Sequence, residues 1–301
     1  MKLDLDSSEI IILRKSDNTK ISDDYLSTPM PIEYPTEKGL TSHAIFYPPF
    51  NKDYKSSSDR LPPLIIKVHG GPTSATTTTL NWANQYWTSR GFALVDVNYG
   101  GSTGYGREYM RRLNGNWGVV DIDDSINAAK YLINRKLVDP ERTVIRGGSA
   151  GGYTTLCALA FRDFLKAGAS YYGISDLEVF VEDTHKFESR YLFTLLGPYP
   201  EMKDLYKERS AINHLDQITA PMVIFQGLED KIVPPNQAEL MVAALTSKGL
   251  PVCYLPFEGE QHGFRMAKNI KRSLEVELYF YSKIFGFTPY DEIEPINIKN
   301  L

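Results

Sequence analysis

The sequence has few cysteines and no large excess of charge of either sign. Its 301 residues include only two cysteines, Cys157 and Cys253, and both lie in apolar segments. This pattern argues against a disulfide scaffold or a metal site and favours buried, reduced thiols. Lys and Arg number 33 against 37 Asp and Glu, which gives a net charge of −4. A chain with this balance has no electrostatic footprint for nucleic acid, so we expect no such partner.

A long uninterrupted apolar run is also missing. No stretch of the sequence approaches the roughly 18 consecutive apolar residues that a membrane-spanning helix requires. The first six residues, MKLDLD, lack the apolar centre of a signal peptide. We therefore expect no membrane association and a cytoplasmic location.

The residues that are present alternate between two kinds of hydrophobic pattern. With 42% hydrophobic and 23% charged residues, the composition is that of an ordinary globular protein. Short apolar runs predict strands buried on both faces: 64–68, 92–97, 143–145, 222–225 and 252–255. Segments with helical periodicity lie between or after them: 82–90, 122–133, 150–162, 237–248 and 270–285.

Strands that alternate with helices imply parallel crossovers within one sheet, with helices on both faces. We therefore expect one α/β domain over residues 40–288, preceded by an N-terminal extension, 1–39, and followed by a C-terminal tail, 289–301. Residues 177–215 interrupt the alternation and are expected to form a helical excursion above the sheet.

A glycine-rich motif at residues 147–152, GGSAGG, carries the strongest chemical signal. It satisfies Gly-x-Ser-x-Gly between a predicted strand and a predicted helix, which is the setting of a nucleophile elbow. Ser149 must project from a strained turn, where side chains at Gly147 and Gly151 would collide with their surroundings. Ser149 is therefore the candidate nucleophile.

A serine nucleophile needs a base and an acid that orients the base, and in this fold they follow in the order Ser, Asp, His. Asp230 lies in the loop after the strand 222–225, and Glu229 is its nearest rival. His262 lies in the glycine-flanked loop after the next strand. Because all three groups follow strand ends in the correct order, we take Asp230 as the acid and His262 as the base.

Acyl transfer also requires two hydrogen-bond donors for the oxyanion of the tetrahedral intermediate. The N–H of Ala150, directly after the nucleophile, is the first candidate. The strand 64–68 ends in His-Gly-Gly-Pro, where small residues let a backbone N–H approach a substrate carbonyl. Gly71 is the candidate for the second donor, and Gly70 is its rival.

Two further segments are candidates for the substrate pocket. The stretch 98–106, NYGGSTGYG, lacks the glycine phasing of nucleotide-binding loops, so we expect no cofactor there. It is interpreted instead as a loop beside the substrate cleft, with Tyr99 and Tyr105 as pocket walls. The acidic and aromatic segment 182–188, which includes Phe187, could bind a peptide amino terminus, although a solvated helix is the favoured interpretation.

Taken together, these motifs resemble the catalytic domain of the prolyl oligopeptidase family of serine peptidases, in particular its acylaminoacyl-peptidase and dipeptidyl-aminopeptidase branch. The segments that carry the resemblance are 69–72, 101–106, 147–153, 227–234 and 262–264. The resemblance covers residues 35–287. It implies an α/β-hydrolase fold, no cofactor or metal, and cleavage of short peptides or acylated amino acids through an acyl-enzyme. It also implies a Ser149, Asp230 and His262 triad with Gly71 and Ala150 at the oxyanion.

One departure from the family pattern is large, because members usually carry an N-terminal β-propeller and this chain has no room for one. Residues 1–30, with a strand-like run at 9–14, resemble the last stretch of such a propeller and its linker. We therefore expect a catalytic fragment or a truncated relative. A carboxylesterase on the same fold is the alternative function, a non-catalytic scaffold is the third, and the sequence indicates no oligomeric state.

Overall fold

The computed structural model describes residues 1–14, 19–57, 60–183 and 190–301. The strands in these ranges are β1 Lys2–Leu3, β2 Ile10–Ile11, β3 Met30–Pro35, β4 Thr41–Tyr47, β5 Leu64–Val68, β6 Ala93–Asn98, β7 Thr143–Gly148, β8 Ala167–Tyr171, β9 Met222–Gly227 and β10 Val252–Phe257. The helices are α1 Trp82–Thr88, α2 Gly106–Arg111, α3 Val120–Asn134, α4 Ala150–Phe161, α5 Leu177–Asp183, α6 Tyr191–Leu196, α7 Lys203–Glu208, α8 Asn236–Lys248 and α9 Ala267–Phe285.

The main sheet has eight strands in the order β10-β9-β8-β7-β5-β6-β4-β3 within the described ranges. Pairing is parallel from β10 to β6, whereas β4 runs antiparallel to both β6 and β3. The carboxyl ends of the parallel strands therefore meet at one edge of the sheet, which is where loops build sites in such folds. The predicted mostly parallel α/β sheet is confirmed.

Two hydrophobic cores cover the two faces of this sheet. Alternate residues of one strand enter different cores, so that Leu64 and Ile66 pack on one face and Ile65 on the other. Helices α3, α4 and α8 cover the first face, and helices α1 and α9 cover the second. Burial on both faces explains why these strands are continuous apolar runs rather than alternating ones.

The sheet begins earlier in the chain than the sequence analysis placed it. Strand β3 lies within the segment assigned to the N-terminal extension, yet it pairs along its whole length with β4. Pro31 and Pro35 made this segment unlike a strand, but proline is tolerated on an edge strand because its missing N–H faces away from the ladder. Strand β8 was also missed, because its sequence AGASY consists mainly of small residues.

The two ends of the chain behave differently. Strands β1 and β2 form a separate two-stranded sheet whose large apolar side chains are exposed, including Leu3 and Ile10. The C-terminal tail packs against the domain: Arg90 pairs with Asp291 at 2.6 Å, and Lys299 bridges to β10. The tail is therefore fixed to the α/β domain through both ionic and backbone contacts.

The predicted helical excursion is confirmed over its described residues. Helices α5, α6 and α7 and a 3-10 helix, Ala211–Gln217, lie between β8 and β9. Leu177, Phe180 and Leu192 of this excursion are buried in the same core as the helix that follows Ser149. The excursion is thus part of the first hydrophobic face and not a detached arm.

Candidate active site

Ser149 occupies a sharp turn between the end of β7 and the start of α4. Its backbone lies at φ 57° and ψ −124°, a strained conformation for a residue with a side chain. Its N–H donates to the carbonyl of Tyr171 at 3.0 Å, which anchors the turn to β8. A Cβ on Gly147 would lie 2.3 Å from the Gly151 carbonyl oxygen, and one on Gly151 would lie 2.2 Å from that of Val68. Both motif glycines are required by close backbone approach.

Asp230 and His262 meet at the same edge of the sheet, in the loops that follow β9 and β10. The Nδ1 atom of His262 lies 2.8 Å from Oδ2 of Asp230, whose side chain is 0% exposed. The other carboxylate oxygen, Oδ1, accepts the N–H groups of Ile232 and Val233 at 2.9 and 3.0 Å. Glu229 is exposed. Of the two carboxylates left open by the sequence, the structure therefore brings Asp230 against the histidine.

A second acidic residue fastens the loop that carries His262. Glu260 is buried and accepts the N–H groups of Arg265 and Met266 and the amide of Asn269, each at 2.9 Å. Although desolvation acts in the opposite direction, these hydrogen bonds lower the pKa of Glu260. The Glu260 carbonyl also accepts the N–H of Glu229 at 2.9 Å, so the two loops are joined. Sequence reasoning missed Glu260, since nothing in its spacing distinguishes it from a surface glutamate.

Tyr172, which directly follows β8, connects the nucleophile turn with the histidine. Its ring lies against Gly148, the residue before Ser149, and also contacts the ring of His262 with centroids 4.8 Å apart. These two contacts bring the histidine loop to the nucleophile turn. Tyr172 was not singled out from the sequence.

The His-Gly-Gly-Pro loop after β5 lies against the nucleophile turn. A Cβ on Gly70 would lie 3.3 Å from the Cβ of Ser149 and 2.9 Å from the Gly148 carbonyl oxygen. Gly71 has a φ of 123°, which is accessible to glycine and strained for other residues. Gly70 therefore lies directly against the turn that carries Ser149, and Ala150, the other candidate donor, begins α4 immediately after Ser149.

Tyr99 supports this loop rather than lining an open cleft. Its side chain is 0% exposed, and its hydroxyl donates to the Pro72 carbonyl at 3.1 Å. Its ring stacks on His69 at 4.4 Å, and Nε2 of His69 lies 2.8 Å from the Ser102 hydroxyl. Burial lowers the pKa of His69. The expectation that Tyr99 forms a pocket wall is therefore corrected: its buried side chain contacts His69 and the Pro72 carbonyl of the His-Gly-Gly-Pro loop.

The other two pocket candidates have different outcomes. Tyr105 is 39% exposed, stacks on His43 at 4.3 Å and accepts a hydrogen bond from the Asn98 amide at 3.0 Å. The Tyr105 side chain is therefore partly exposed and lies at the end of the loop that follows β6. Phe187 lies outside the described residues.

The helical excursion contacts both sides of the site. Tyr191 of α6 bonds through its hydroxyl to the backbone N–H of Thr73, 3.2 Å away, and to the hydroxyl of that residue. Tyr153 of α4 donates to the Arg209 carbonyl at 2.9 Å, at the end of α7. The loop after β5 and helix α4 are thus both attached to the helical excursion.

A buried ion pair joins strand β7, which precedes Ser149, to helix α9. Arg146 of β7 pairs with Glu277 of α9 at 3.1 Å, and Glu277 also accepts hydrogen bonds from Tyr171 and Tyr281. Although burial opposes it, the Glu277 carboxylate raises the pKa of Arg146. Since the Tyr171 carbonyl holds the N–H of Ser149, this network supports the turn from below.

Both cysteines are free and buried, as the sequence predicted. In the described ranges no three His, Cys, Asp or Glu side chains are grouped so that they could hold a metal ion. None of the helices described is long and apolar enough to cross a membrane.

Comparison with known proteins follows the catalytic segment of the chain. The model of the prolyl oligopeptidase family matches residues 78–288. The chain is 30% identical to dipeptidyl aminopeptidase BIII of Pseudoxanthomonas mexicana over 264 residues, which are 86% of this chain and 38% of that protein. It is also 30% identical to the acylamino-acid-releasing enzyme of Arabidopsis thaliana over 237 residues, covering 71% of this chain and 30% of that one.

Solved structures give the same result. A puromycin-hydrolyzing peptidase of Mycobacterium tuberculosis superposes with a TM-score of 0.96 and 47% identity, over 99% of this chain and 45% of that chain. A puromycin hydrolase superposes with a TM-score of 0.91 and 39% identity, over 93% and 42%. The chain thus spans less than half the length of these relatives. Since the family model matches more than half of this chain and the fold agrees, the chain belongs to the prolyl oligopeptidase family of serine peptidases.

Proposed function

We propose that this chain is the catalytic unit of a serine peptidase that hydrolyses short peptides or acylated amino acids. The observation that carries the proposal is the buried Asp230 carboxylate, hydrogen-bonded to His262 at 2.8 Å, at the sheet edge where Ser149 projects from a strained turn. An acid, a base and a nucleophile on three strand ends are what acyl transfer requires.

In the proposed mechanism, the Ser149 hydroxyl attacks the scissile carbonyl while Nε2 of His262 takes its proton. Asp230 fixes the tautomer of His262 through Nδ1 and stabilises the imidazolium. The N–H groups of Ala150 and Gly71 donate to the oxyanion. His262 then protonates the leaving amine as the C–N bond breaks. In the second half, His262 takes a proton from the water molecule that attacks the acyl-enzyme and returns it to the Ser149 oxygen as the ester bond breaks.

The proposed substrates follow from the relatives. Their names describe dipeptidyl aminopeptidase, acylamino-acid-releasing and puromycin-hydrolysing proteins. The substrates that these names indicate all contain an amide bond close to one end of the molecule. We expect this chain to act on amides of the same kind, and puromycin is a suitable first test substrate because the two puromycin-hydrolysing structures match at 47% and 39% identity.

The test compares three substrates: puromycin, a dipeptide anilide and a nitrophenyl ester with the same acyl group. Each is assayed with the wild-type protein and with Ser149→Ala. We expect amide hydrolysis that disappears in the variant. Hydrolysis of the ester alone would make the protein a carboxylesterase, and a folded protein that hydrolyses none of the three would favour a scaffold; either result overturns the proposal.

A β-propeller domain is the proposed partner of residues 1–14. Residues 1–14, which include β1 and β2, expose several apolar side chains, among them Leu5 at 86% and Leu13 at 68%. Such a surface is typical of a buried interface, and the chain spans only 45% of its M. tuberculosis relative. The intact mass of the protein from its source tests this proposal, because a mass near 34.0 kDa would contradict it.

We also propose a cytoplasmic location, because two free cysteines suit a reducing compartment.

A further inference from the structure

The backbone of Tyr172 is unusual for a large residue. It lies at φ 40°, in the left-handed region that side chains of this size rarely adopt. Its N–H donates to the Phe225 carbonyl at 2.7 Å, so the conformation is fixed by the neighbouring strand β9. A strained residue at a site is a reason to ask what its side chain does there.

The ring of Tyr172 explains why residue 148 is a glycine. A Cβ placed on Gly148 would lie 2.9 Å from Cε2, 3.0 Å from the hydroxyl and 3.1 Å from Cζ of this ring. Gly148 does not have a positive φ, so its backbone does not demand glycine. The Gly-x-Ser-x-Gly pattern leaves this position free as well. The space required by Tyr172 is therefore the reason for the glycine directly before Ser149.

The same ring contacts His262. The two ring planes are inclined by 61°. The hydrogen bond to Asp230 fixes only the Nδ1 atom of the imidazole. The ring can still rotate about that hydrogen bond, so a second contact is needed to set its orientation. Phe264, two residues after His262, packs on Tyr172 with centroids 5.4 Å apart and planes at 85°. Tyr172 is thus held by the histidine loop on one side and by the nucleophile turn on the other.

We propose that Tyr172 is a positioning residue that sets the distance and ring orientation of His262 relative to Ser149. This inference rests on the proposed function, because it assigns Tyr172 a role in that same reaction. The side chain acts by packing alone and neither gains nor loses a proton in the reaction. This role requires no hydrogen bond from the Tyr172 hydroxyl, so a phenylalanine at this position should position His262 equally well.

The expected result for Tyr172→Ala is a loss in kcat with little change in KM. Misplacement of a reacting group by about 1 Å costs about 100-fold in rate, and we expect a loss of that order. The initial rate of fluorophosphonate labelling should fall in parallel, since labelling uses the same nucleophile and base. Tyr172→Phe should retain the wild-type values.

Two controls separate positioning from folding. Tyr254→Ala removes a partly buried tyrosine from strand β10, which β9 separates from β8, and should leave kcat unchanged. Tyr172→Leu keeps apolar volume but removes the ring, so it serves if the alanine variant does not fold. In each folded variant, the downfield NMR resonance of the proton between His262 and Asp230 should broaden or shift only when the Tyr172 ring is lost.

A double-mutant cycle tests the contact itself. Gly148→Ala should lower the labelling rate in the wild-type background, because the new methyl group displaces the Tyr172 ring. In the Tyr172→Ala or Tyr172→Leu background the same change should have little further effect. Equal losses in both backgrounds, or a folded Tyr172→Ala or Tyr172→Leu protein with wild-type kcat, would overturn the inference. Failure of the wild-type protein to label would instead contradict the proposed function.

Discussion

At the scale of single residues, the site depends on where one carboxylate is buried. Asp230 receives two backbone N–H groups on one oxygen and His262 on the other, so both oxygens are satisfied without solvent. Glu229, one position earlier, points to solvent. The adjacent residues therefore offer a matched pair for testing which carboxylate orients the base.

We predict that Asp230→Asn lowers kcat by about 10⁴-fold, since an amide in this position favours the wrong tautomer of His262. Glu229→Gln, measured in the same assay, should stay within about twofold of wild type because exposed positions contribute little. Equal losses in the two variants would transfer the role away from Asp230.

A second residue-scale prediction concerns Asp121, which lies at the start of α3. It is fully buried and accepts hydrogen bonds from the Gly118 N–H and the Thr154 hydroxyl of α4. Burial raises the pKa of Asp121 from its usual 3.8 to about 6. Between these two values the folded chain keeps a proton that the unfolded chain has lost. The free energy of unfolding therefore falls as pH rises through this window and levels off above it.

Asp121→Asn should remove this pH dependence of the free energy of unfolding. The stability of the variant relative to wild type should increase between pH 4 and pH 7, measured by urea unfolding at several pH values. The exposed Asp163→Asn is the control for loss of one negative charge. A difference between Asp121→Asn and wild type that stays constant with pH would contradict the assignment.

At the scale of secondary structure elements, strand β7 and helix α9 are joined through the core by a charge pair. The side chains of Arg146 and Glu277 are 10% and 0% exposed, and two tyrosines satisfy the carboxylate further. Removal of one member leaves a buried charge without its counterion. The pair therefore links the nucleophile strand to the last helix.

We predict that Glu277→Gln lowers the free energy of unfolding by about 3–5 kcal/mol, because Arg146 remains buried and unpaired. Glu141→Gln breaks the exposed pair with Lys166 and should cost less than about 1 kcal/mol. Urea denaturation of both variants measures the difference. A cost for Glu277→Gln no greater than that of the surface variant would show that the buried pair is dispensable.

The same scale explains what could be predicted from the sequence. The central strands were predicted because both faces of the sheet are covered by a core. Ile65 faces one core and Val95 faces the other, so the strands are unbroken apolar runs. Strand β3 was not, since proline in an edge strand resembles a loop. The loops carrying Ser149, Asp230 and His262 were identified because each follows a strand end. Contacts such as those of Glu260 and Tyr172 join segments distant in sequence, and no local pattern reports them.

At the scale of the whole molecule, four loops lie at the carboxyl ends of β5, β7, β9 and β10, and the helical excursion contacts two of the segments that follow these strands. The excursion is attached to the loop after β5 through Tyr191 and to helix α4 through Tyr153. Residues 1–14 include the separate two-stranded sheet and expose several apolar side chains. The candidate site is therefore built from loops of the main sheet, and β1 and β2 form a separate small sheet.

The central claim is that Ser149 is an activated nucleophile. It is tested most directly by reacting the purified protein with a fluorophosphonate and locating the adduct by peptide mass spectrometry. We predict a single adduct on Ser149 that is absent in Ser149→Ala and forms much more slowly in Asp230→Asn. A folded wild-type protein that gives no adduct, or one that is labelled at another residue, would contradict the account.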